Sequence, residues 1–115
     1  MVLNKYVDFK IKGKTYKLCY PIAQAWKMEQ SLSDHSIFAA IAAIGAGAPR
    51  LQDLFAMLKY ALIGGQPDMK EEAAETLVLD AFEESPQQIY PSCLQALRLA
   101  GLLPGVKKDQ AAPGV

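Results

Sequence analysis

The side chains that most often do chemistry in proteins are sparse in this chain. Its only histidine is His35, in the segment Ser-Asp-His-Ser at residues 33–36, and its two cysteines are Cys19 and Cys93. A catalytic triad needs a nucleophile and a general base held together, and no nucleophile motif accompanies His35. Cysteines that stand among apolar residues, without metal-ligand spacing, are typical of buried and reduced thiols in a cytosolic protein. The sequence therefore predicts a protein that is not an enzyme and uses no cofactor.

An acidic segment offers the one further candidate for a ligand site. Asp68, Glu71 and Glu72 stand close enough in sequence to hold a divalent cation. Asp68 followed by Glu71 also matches a capping box, in which side chains satisfy the free N–H groups of a helix start. The glycine-rich residues 45–50 lack the Gly-Lys-Ser/Thr end of a phosphate-binding loop. We therefore predict helix capping by Asp68, a simple interhelix turn at 45–50, and no metal site.

The charges balance overall but are unevenly distributed. The 115 residues carry 12 Lys plus Arg and 12 Asp plus Glu, which disfavours a nucleic-acid binder that depends on global positive charge. Residues 1–20 nevertheless hold five lysines, and residues 66–85 hold seven acidic residues. These two segments are either separate solvated faces or attract each other, within one chain or between two copies. Hydrophobic residues make up 51% of the chain, which predicts an ordered core.

The elements that position these residues begin with a β-hairpin at 5–20. Apolar and polar residues alternate on both sides of a turn near Gly13, and Pro21 then suits the first turn of a helix. The lysines interleaved with Tyr16 and Tyr20 could contact nucleic acid, but lysines on strands also protect exposed edges from unwanted pairing, and we favour that role. A two-stranded hairpin is marginal alone, so it must pack on helices or pair its free edges with another copy or a ligand strand.

Helical periodicity covers most of the remaining sequence. We predict helices over about 21–30, 35–45, 50–63 and 69–84, and a last helix after Ser85–Pro86 that reaches Leu103 and starts near, or kinks at, Pro91. The fold class is mainly α: a small helical domain of four to five helices with an N-terminal β-hairpin. The domain spans 1–103, and the polar residues 104–115 form a flexible tail. The apolar run 37–48 is too short to span a bilayer, so no membrane association is expected.

The chain has more large apolar residues than one stripe per helix requires. Residues 50–63 place five apolar residues on one face, namely Leu51, Leu54, Phe55, Leu58 and Leu62. Met57 and Tyr60 lie off that face, and Gly64–Gly65 should end the helix. Residues 35–45 are apolar all round, which predicts a helix that is buried on several sides or meets a partner. Trp26, Phe38, Met57 and Tyr60 therefore belong either to an ordinary core or to a protein-binding groove.

The order of these motifs resembles a known family. Gly13, Lys14, Tyr16 and Leu18 form a GK-x-Y-x-L hairpin, and an apolar helix that ends at Glu29 follows it. The segments SLSDHS, LQDLFAMLKYALIGG and DMKEEAAETL then occur in that order. Over about residues 8–103 the chain is similar to the small tail assembly chaperones of long-tailed phages and prophages, including the gene-transfer-agent-like branch. Each motif alone is a generic folding signal, and their order and spacing carry the resemblance.

The resemblance implies a non-enzymatic role in the bacterial cytoplasm. Such proteins bind the tape measure protein, a long helical rod that sets tail length, help recruit tail tube subunits, and leave before the virion is finished. The resemblance also implies a longer form made by ribosomal frameshifting, for which the codons of Lys107 and Lys108 are a candidate site. On this hypothesis Trp26, Phe38, Met57 and Tyr60 contact the partner, and self-association is an option.

Two other functions remain open from the residues alone. One is a structural tail or connector component that stays in the virion. The other is a small nucleic-acid-binding regulator that uses the lysine-rich hairpin, which predicts salt-sensitive binding.

Overall fold

The computed structural model describes residues 5–102 and confirms a mainly α fold with an N-terminal hairpin. The described chain runs through two strands and five α-helices, with one 3₁₀ turn: β1 (Val7–Ile11), β2 (Lys14–Leu18), α1 (Ile22–Ser31), α2 (Ile37–Gly45), α3 (Leu51–Gly65), α4 (Glu71–Glu84), the 3₁₀ turn Pro86–Gln88 and α5 (Ile89–Ala100). The predicted tail at 104–115, with Lys107 and Lys108, lies outside the described residues.

The hairpin follows from its alternating pattern and its turn. β1 and β2 are antiparallel, with Val7 opposite Leu18 and Ile11 opposite Lys14. Lys12 and Gly13 connect them with φ angles of 50° and 80°, the left-handed conformation that suits the twist of a two-residue hairpin. Phe9, Ile11 and Leu18 are buried, whereas the lysines of both strands are exposed. The predicted alternation is therefore confirmed.

Helix α3 is the centre of the domain and packs against α1, α4, α5 and β2. The prediction of one apolar face for this helix is right only in part, because Leu58 and Leu62 of that face are fully buried but the helix is also surrounded on other sides. Leu51, on the predicted face, is 68% exposed, whereas Met57 and Tyr60, off that face, are buried. Helical periodicity assumes that a helix is buried on one side only, whereas a central helix is buried on several sides.

The two glycines at the end of α3 have a different role from the one predicted. The helix continues through Gly64 and Gly65 instead of stopping before them. A Cβ atom at Gly64 would overlap the carbonyl oxygen of Cys19, and one at Gly65 would overlap that of Lys17. The Cys19 N–H donates to the Ala61 carbonyl at 3.1 Å, so strand and helix backbones touch directly. Glycine is required here because the chain that follows β2 lies against the helix.

The predicted cap of α4 is also wrong. The helix begins at Glu71, its N-cap residue is Lys70, and no side chain accepts a hydrogen bond at this end. A turn comes first, closed by the Met69 N–H and the Gln66 carbonyl at 2.8 Å, so Asp68 stands two residues before the N-cap position. Glu71 instead forms an ion pair with Lys59 of α3 at 3.4 Å.

Pro91 does not distort α5. The helix begins at Ile89, so Pro91 is its third residue, where a backbone N–H would have no intrahelical acceptor. At the other end Gly101 adopts a φ of 74° and caps the helix. The inner face of α5 completes a continuous core, whose largest fully buried apolar members include Ile11, Leu18, Met28, Leu32, Met57, Leu58, Leu62, Val78, Ile89 and Leu97.

Candidate partner-binding surface

Helix α2 is almost entirely apolar in sequence, yet it is poorly buried. Only Ala40 of its nine residues is fully buried, and Phe38 is 60% exposed. Ile37, Ile41 and Ile44 pack against the core with part of their surface and remain partly open. Of the two explanations for a helix that is apolar all round, burial on several sides is therefore not observed in the described part of the chain.

The polar contacts of α2 are concentrated at its N-terminus. The Ser36 hydroxyl accepts a hydrogen bond from the Ala39 N–H at 3.1 Å, which confirms an N-cap within the SLSDHS segment. The Glu29 carboxylate, on α1, accepts from the Ile37 N–H at 3.0 Å. A carboxylate at this position also suits the positive end of the helix dipole. Glu29 thus connects the end of α1 to the start of α2.

An open apolar groove lies between α1, the start of α2 and Leu102. Its volume is about 390 Å³, and one charged side chain, Glu29, contributes to its lining. Ile22 and Trp26 form its rim on α1 and are 74% and 62% exposed. Two large apolar side chains one helical turn apart, both facing solvent, are what a docking partner would cover. We call this feature the Trp26 groove.

A second groove lies on the N-terminal half of α3. Leu51, Phe55 and Tyr60 give it an apolar floor, and its volume is about 470 Å³. Lys59 borders it and forms ion pairs with Glu75 at 2.8 Å and Glu71 at 3.4 Å. Burial lowers the pKa of Lys59, but the hydrogen bond to Glu75 and the nearby negative charges outweigh that effect and raise it. The ammonium is therefore held in place as a fixed positive edge of the groove.

The structure separates the four residues predicted to bind a partner. Trp26 and Phe38 are exposed, so both are available to another molecule. Tyr60 is 8% exposed and reaches the second groove with one edge. Met57 is 1% exposed and lies in the core, where its backbone carbonyl accepts a hydrogen bond from the Tyr20 hydroxyl at 2.6 Å. The Met57 side chain is therefore a packing residue in the folded chain, because α3 is enclosed by its neighbours.

Sequence reasoning missed a polar cluster that fixes the turn between α1 and α2. Asp53, in the first turn of α3, is 1% exposed and accepts hydrogen bonds from the Ser33 N–H at 2.8 Å and the Ser33 hydroxyl at 3.1 Å. Arg50 donates to Ser33 at 2.7 Å and pairs with Asp34 at 2.6 Å. An acidic residue in a first helical turn was the only signal, and it normally indicates a favourable helix dipole and not a buried acceptor.

The hairpin lysines interact with neighbours in the same chain. The Lys12 ammonium lies 3.8 Å from Asp80, and the Lys12 N–H donates to the Glu84 carboxylate at 2.8 Å. Lys17 lies over the ring of Tyr6 at 4.7 Å. Of the two predicted forms of attraction between the basic and acidic segments, the structure shows the intrachain form at Lys12.

The described residues contain no group of three or more His, Cys, Asp and Glu side chains placed to hold a metal ion. Among residues 5–102 no helix has the length and apolar character needed to cross a membrane. Comparison of the chain with protein-family models, with curated proteins and with solved structures gave no match. The features that bear on function are therefore those of the molecule itself, and the Trp26 groove with the exposed face of α2 is the most pronounced.

Proposed function

We propose that this chain is a phage or prophage tail assembly chaperone that binds amphipathic helices of the tape measure protein reversibly. The observation that carries the proposal is the exposed apolar surface formed by Ile22 and Trp26 of the Trp26 groove and by Phe38 of α2. The order of sequence motifs that resembles this family is the second support. The function requires no catalytic residue, since its chemistry is the covering of apolar surface.

The shape of the surface suits a helical partner. A helix that lies in a groove presents apolar side chains at intervals of three, four and seven residues, and Ile22 and Trp26 have the matching four-residue interval. A long helical rod exposes such stripes along its whole length and aggregates unless they are covered. A small domain can cover one short stretch of that rod with an open groove such as the Trp26 groove.

Reversibility follows from the modest size of the surface. One exposed tryptophan with two smaller anchors gives a small patch, so a single copy should bind weakly. Many copies along one rod would hold it collectively, because each neighbouring contact raises the effective concentration of the next. Weak individual contacts also allow the copies to leave when tail tube subunits replace them.

Co-expression tests the proposal. The chain would be produced together with a long coiled-coil tape measure protein from the same genome, and the soluble fraction and co-purification of that protein would be measured. We expect the coiled-coil protein to become soluble and to co-purify with the chain. The substitutions Trp26→Ala and Phe38→Ala should each weaken co-purification while leaving the fold intact, because both side chains are mostly exposed.

A matched control is available on α4. Leu79 is 57% exposed and lies outside both grooves, so Leu79→Ala removes a comparable apolar side chain and should leave co-purification unchanged. A coiled-coil protein that is equally soluble and unbound with and without the chain would refute the proposal. Mass spectrometry of purified particles separates the nearest alternative, since a structural tail or connector component is present in the virion and a chaperone is absent.

A further inference from the structure

The two outer edges of the β-hairpin differ in their main-chain hydrogen bonds to the rest of the described chain. On the outer edge of β2, Gln66 pairs with Lys17 as a neighbouring strand would: its side-chain oxygen accepts from the Lys17 N–H at 2.6 Å, and its nitrogen donates to the Lys17 carbonyl at 3.0 Å. The Cys19 N–H, further along the same edge, donates to Ala61 of α3. This edge is therefore closed by α3 and the residue that follows it.

The register then determines which groups face outward on β1. Lys17 is opposite Asp8, and since the Lys17 N–H and carbonyl point away from β1, those of Asp8 point away from β2. Strand alternation gives Lys10 the same orientation. Both residues are exposed, and neither makes a main-chain hydrogen bond outside the hairpin to any residue in the range 5–102. On this edge, the backbone N–H of Lys12, which follows the end of β1, donates a hydrogen bond to the Glu84 carboxylate.

We propose that β1 pairs with β1 of a second copy of this chain, antiparallel and centred on Phe9. The two hairpins would then form one four-stranded sheet in the order β2, β1, β1 of the second copy and β2 of the second copy. In this register Asp8 lies opposite Lys10 of the second copy, and Lys10 lies opposite its Asp8. Both are hydrogen-bonded pairs, so all the outward groups of Asp8 and Lys10 would find partners.

Charge complementarity selects this register over its neighbours. The neighbouring registers are reached by sliding one strand two residues along the other, which is the smallest shift that keeps the outward groups facing each other. A slide in one direction places Asp8 opposite Asp8 of the second copy, and a slide in the other direction places Lys10 opposite Lys10. Like charges directly opposite each other are destabilising, whereas opposite charges stabilise a strand pair. The centred register is the one that keeps both charged pairs complementary.

The apolar face of the sheet agrees with the same arrangement. Val7 would lie opposite Ile11 of the second copy, and the two Phe9 residues would face each other as a non-hydrogen-bonded pair. These three side chains already lie on the core side of β1, where Phe9 and Ile11 are buried and Val7 is partly buried. Pairing would extend one apolar face across both copies and add strands to a hairpin that is marginal alone. This inference does not depend on the proposed chaperone function.

Charge exchange tests the register. The association of the full chain would be measured by analytical ultracentrifugation over a range of concentrations. Asp8→Lys alone places lysine opposite Lys10, and Lys10→Asp alone places aspartate opposite Asp8, so each variant should associate on the order of tenfold more weakly than the unaltered chain. A mixture of the two variants restores both complementary pairs and should form a mixed dimer with the original affinity. Asp68→Lys makes the same charge change at an exposed position away from the strand and should leave association unchanged.

Hydrogen exchange supplies a second readout that identifies the edge. The amide protons of Asp8 and Lys10 should exchange slowly at concentrations where the dimer forms and fast where the chain is monomeric. Circular dichroism melts would confirm that both variants fold. A chain that stays monomeric at millimolar concentration would overturn the proposal. So would a dimer that both single exchanges leave unchanged, a mixture that fails to recover, or slow exchange of these amides in the monomer.

Discussion

At the scale of single residues, the position of an apolar side chain in the folded chain decides whether it packs in the core or faces solvent. Trp26 and Met57 both stand at helical positions among apolar neighbours, and sequence pattern treats them alike. Trp26 lies on α1 at the edge of the domain and is 62% exposed, whereas Met57 lies on the enclosed helix α3 and is 1% exposed. Replacing Trp26 is therefore a test of binding, and replacing Met57 is a test of stability.

Burial of Tyr20 and Cys93 should make the free energy of unfolding fall as pH rises in the alkaline range. Burial raises the pKa of Cys93 to about 12 and raises that of Tyr20 well above its ordinary value. An unfolded cysteine loses its proton near pH 8.5, so between about pH 8.5 and 12 the folded state holds a proton that the unfolded state has lost. The free energy of unfolding must then fall as pH rises through that window, and below it the thiol does not contribute to the pH dependence of stability.

We predict that Cys93→Ala flattens this alkaline decline. One proton per molecule corresponds to about 1.4 kcal/mol per pH unit, so the slope above pH 9 should decrease by up to that amount. Urea unfolding at pH 7 to 11 measures the slope directly. Val78→Ala provides the control, since it truncates another fully buried side chain without a titrating group and should lower stability equally at every pH. An unchanged slope in Cys93→Ala would contradict the assignment.

At the scale of elements, the sequence predicts the number, type and approximate bounds of the helices well. Periodicity and turn residues act over a few positions, so they are visible in a single chain, as at the hairpin turn Lys12–Gly13 and at the start of α2. The failures are contacts between distant segments. Gly64 and Gly65 look like a helix stop, but their role depends on the chain at 17–19 lying against them. The contact between Asp53 and Ser33 is likewise not predictable from local sequence pattern, because it forms only when the start of α3 packs against the turn that follows α1.

Replacement of glycine by alanine should have opposite effects at two positions: Gly64, where the chain after the hairpin touches α3, and Gly45, where the space is open. In Gly64→Ala the new methyl group meets the Cys19 carbonyl and the Pro21 ring, backbone and ring atoms that cannot move aside, so stability should fall by about 3 kcal/mol. In Gly45→Ala, at the end of α2, the new methyl group meets nothing within 4 Å, so stability should rise by about 0.5 kcal/mol through helix propensity.

Chemical denaturation of both variants measures this difference. The comparison is matched because both glycines are helical and neither has a positive φ. Equal effects of the two substitutions would show that the backbone of the hairpin does not lie against α3. A loss of stability in Gly64→Ala alone shows that the close approach is required.

At the scale of the whole molecule, stability should be unevenly distributed. Helix α3 contacts most other elements and supplies much of the core, whereas α2 buries one residue fully and is linked to α1 by the hydrogen bond from the Ile37 N–H to the Glu29 carboxylate. Regions with few buried contacts open locally at a lower free energy than the whole chain. Under the proposed chaperone function, such freedom would allow the surface to adjust to different side chains along the partner.

Native-state hydrogen exchange tests this distribution. We predict that amides at the C-terminal end of α2, such as that of its C-cap residue Ala46, which donates to the Ala42 carbonyl at 2.9 Å, exchange through local opening. Their opening free energy should be several kcal/mol below that of amides in the middle of α3, and it should change little with added denaturant, because local opening exposes little surface. Amides of α3 should instead follow global unfolding with the full denaturant dependence. Identical free energies and slopes for the two helices would mean that α2 is an integral part of the core, and the exposed face of α2 would then be a fixed surface and not an adaptable one.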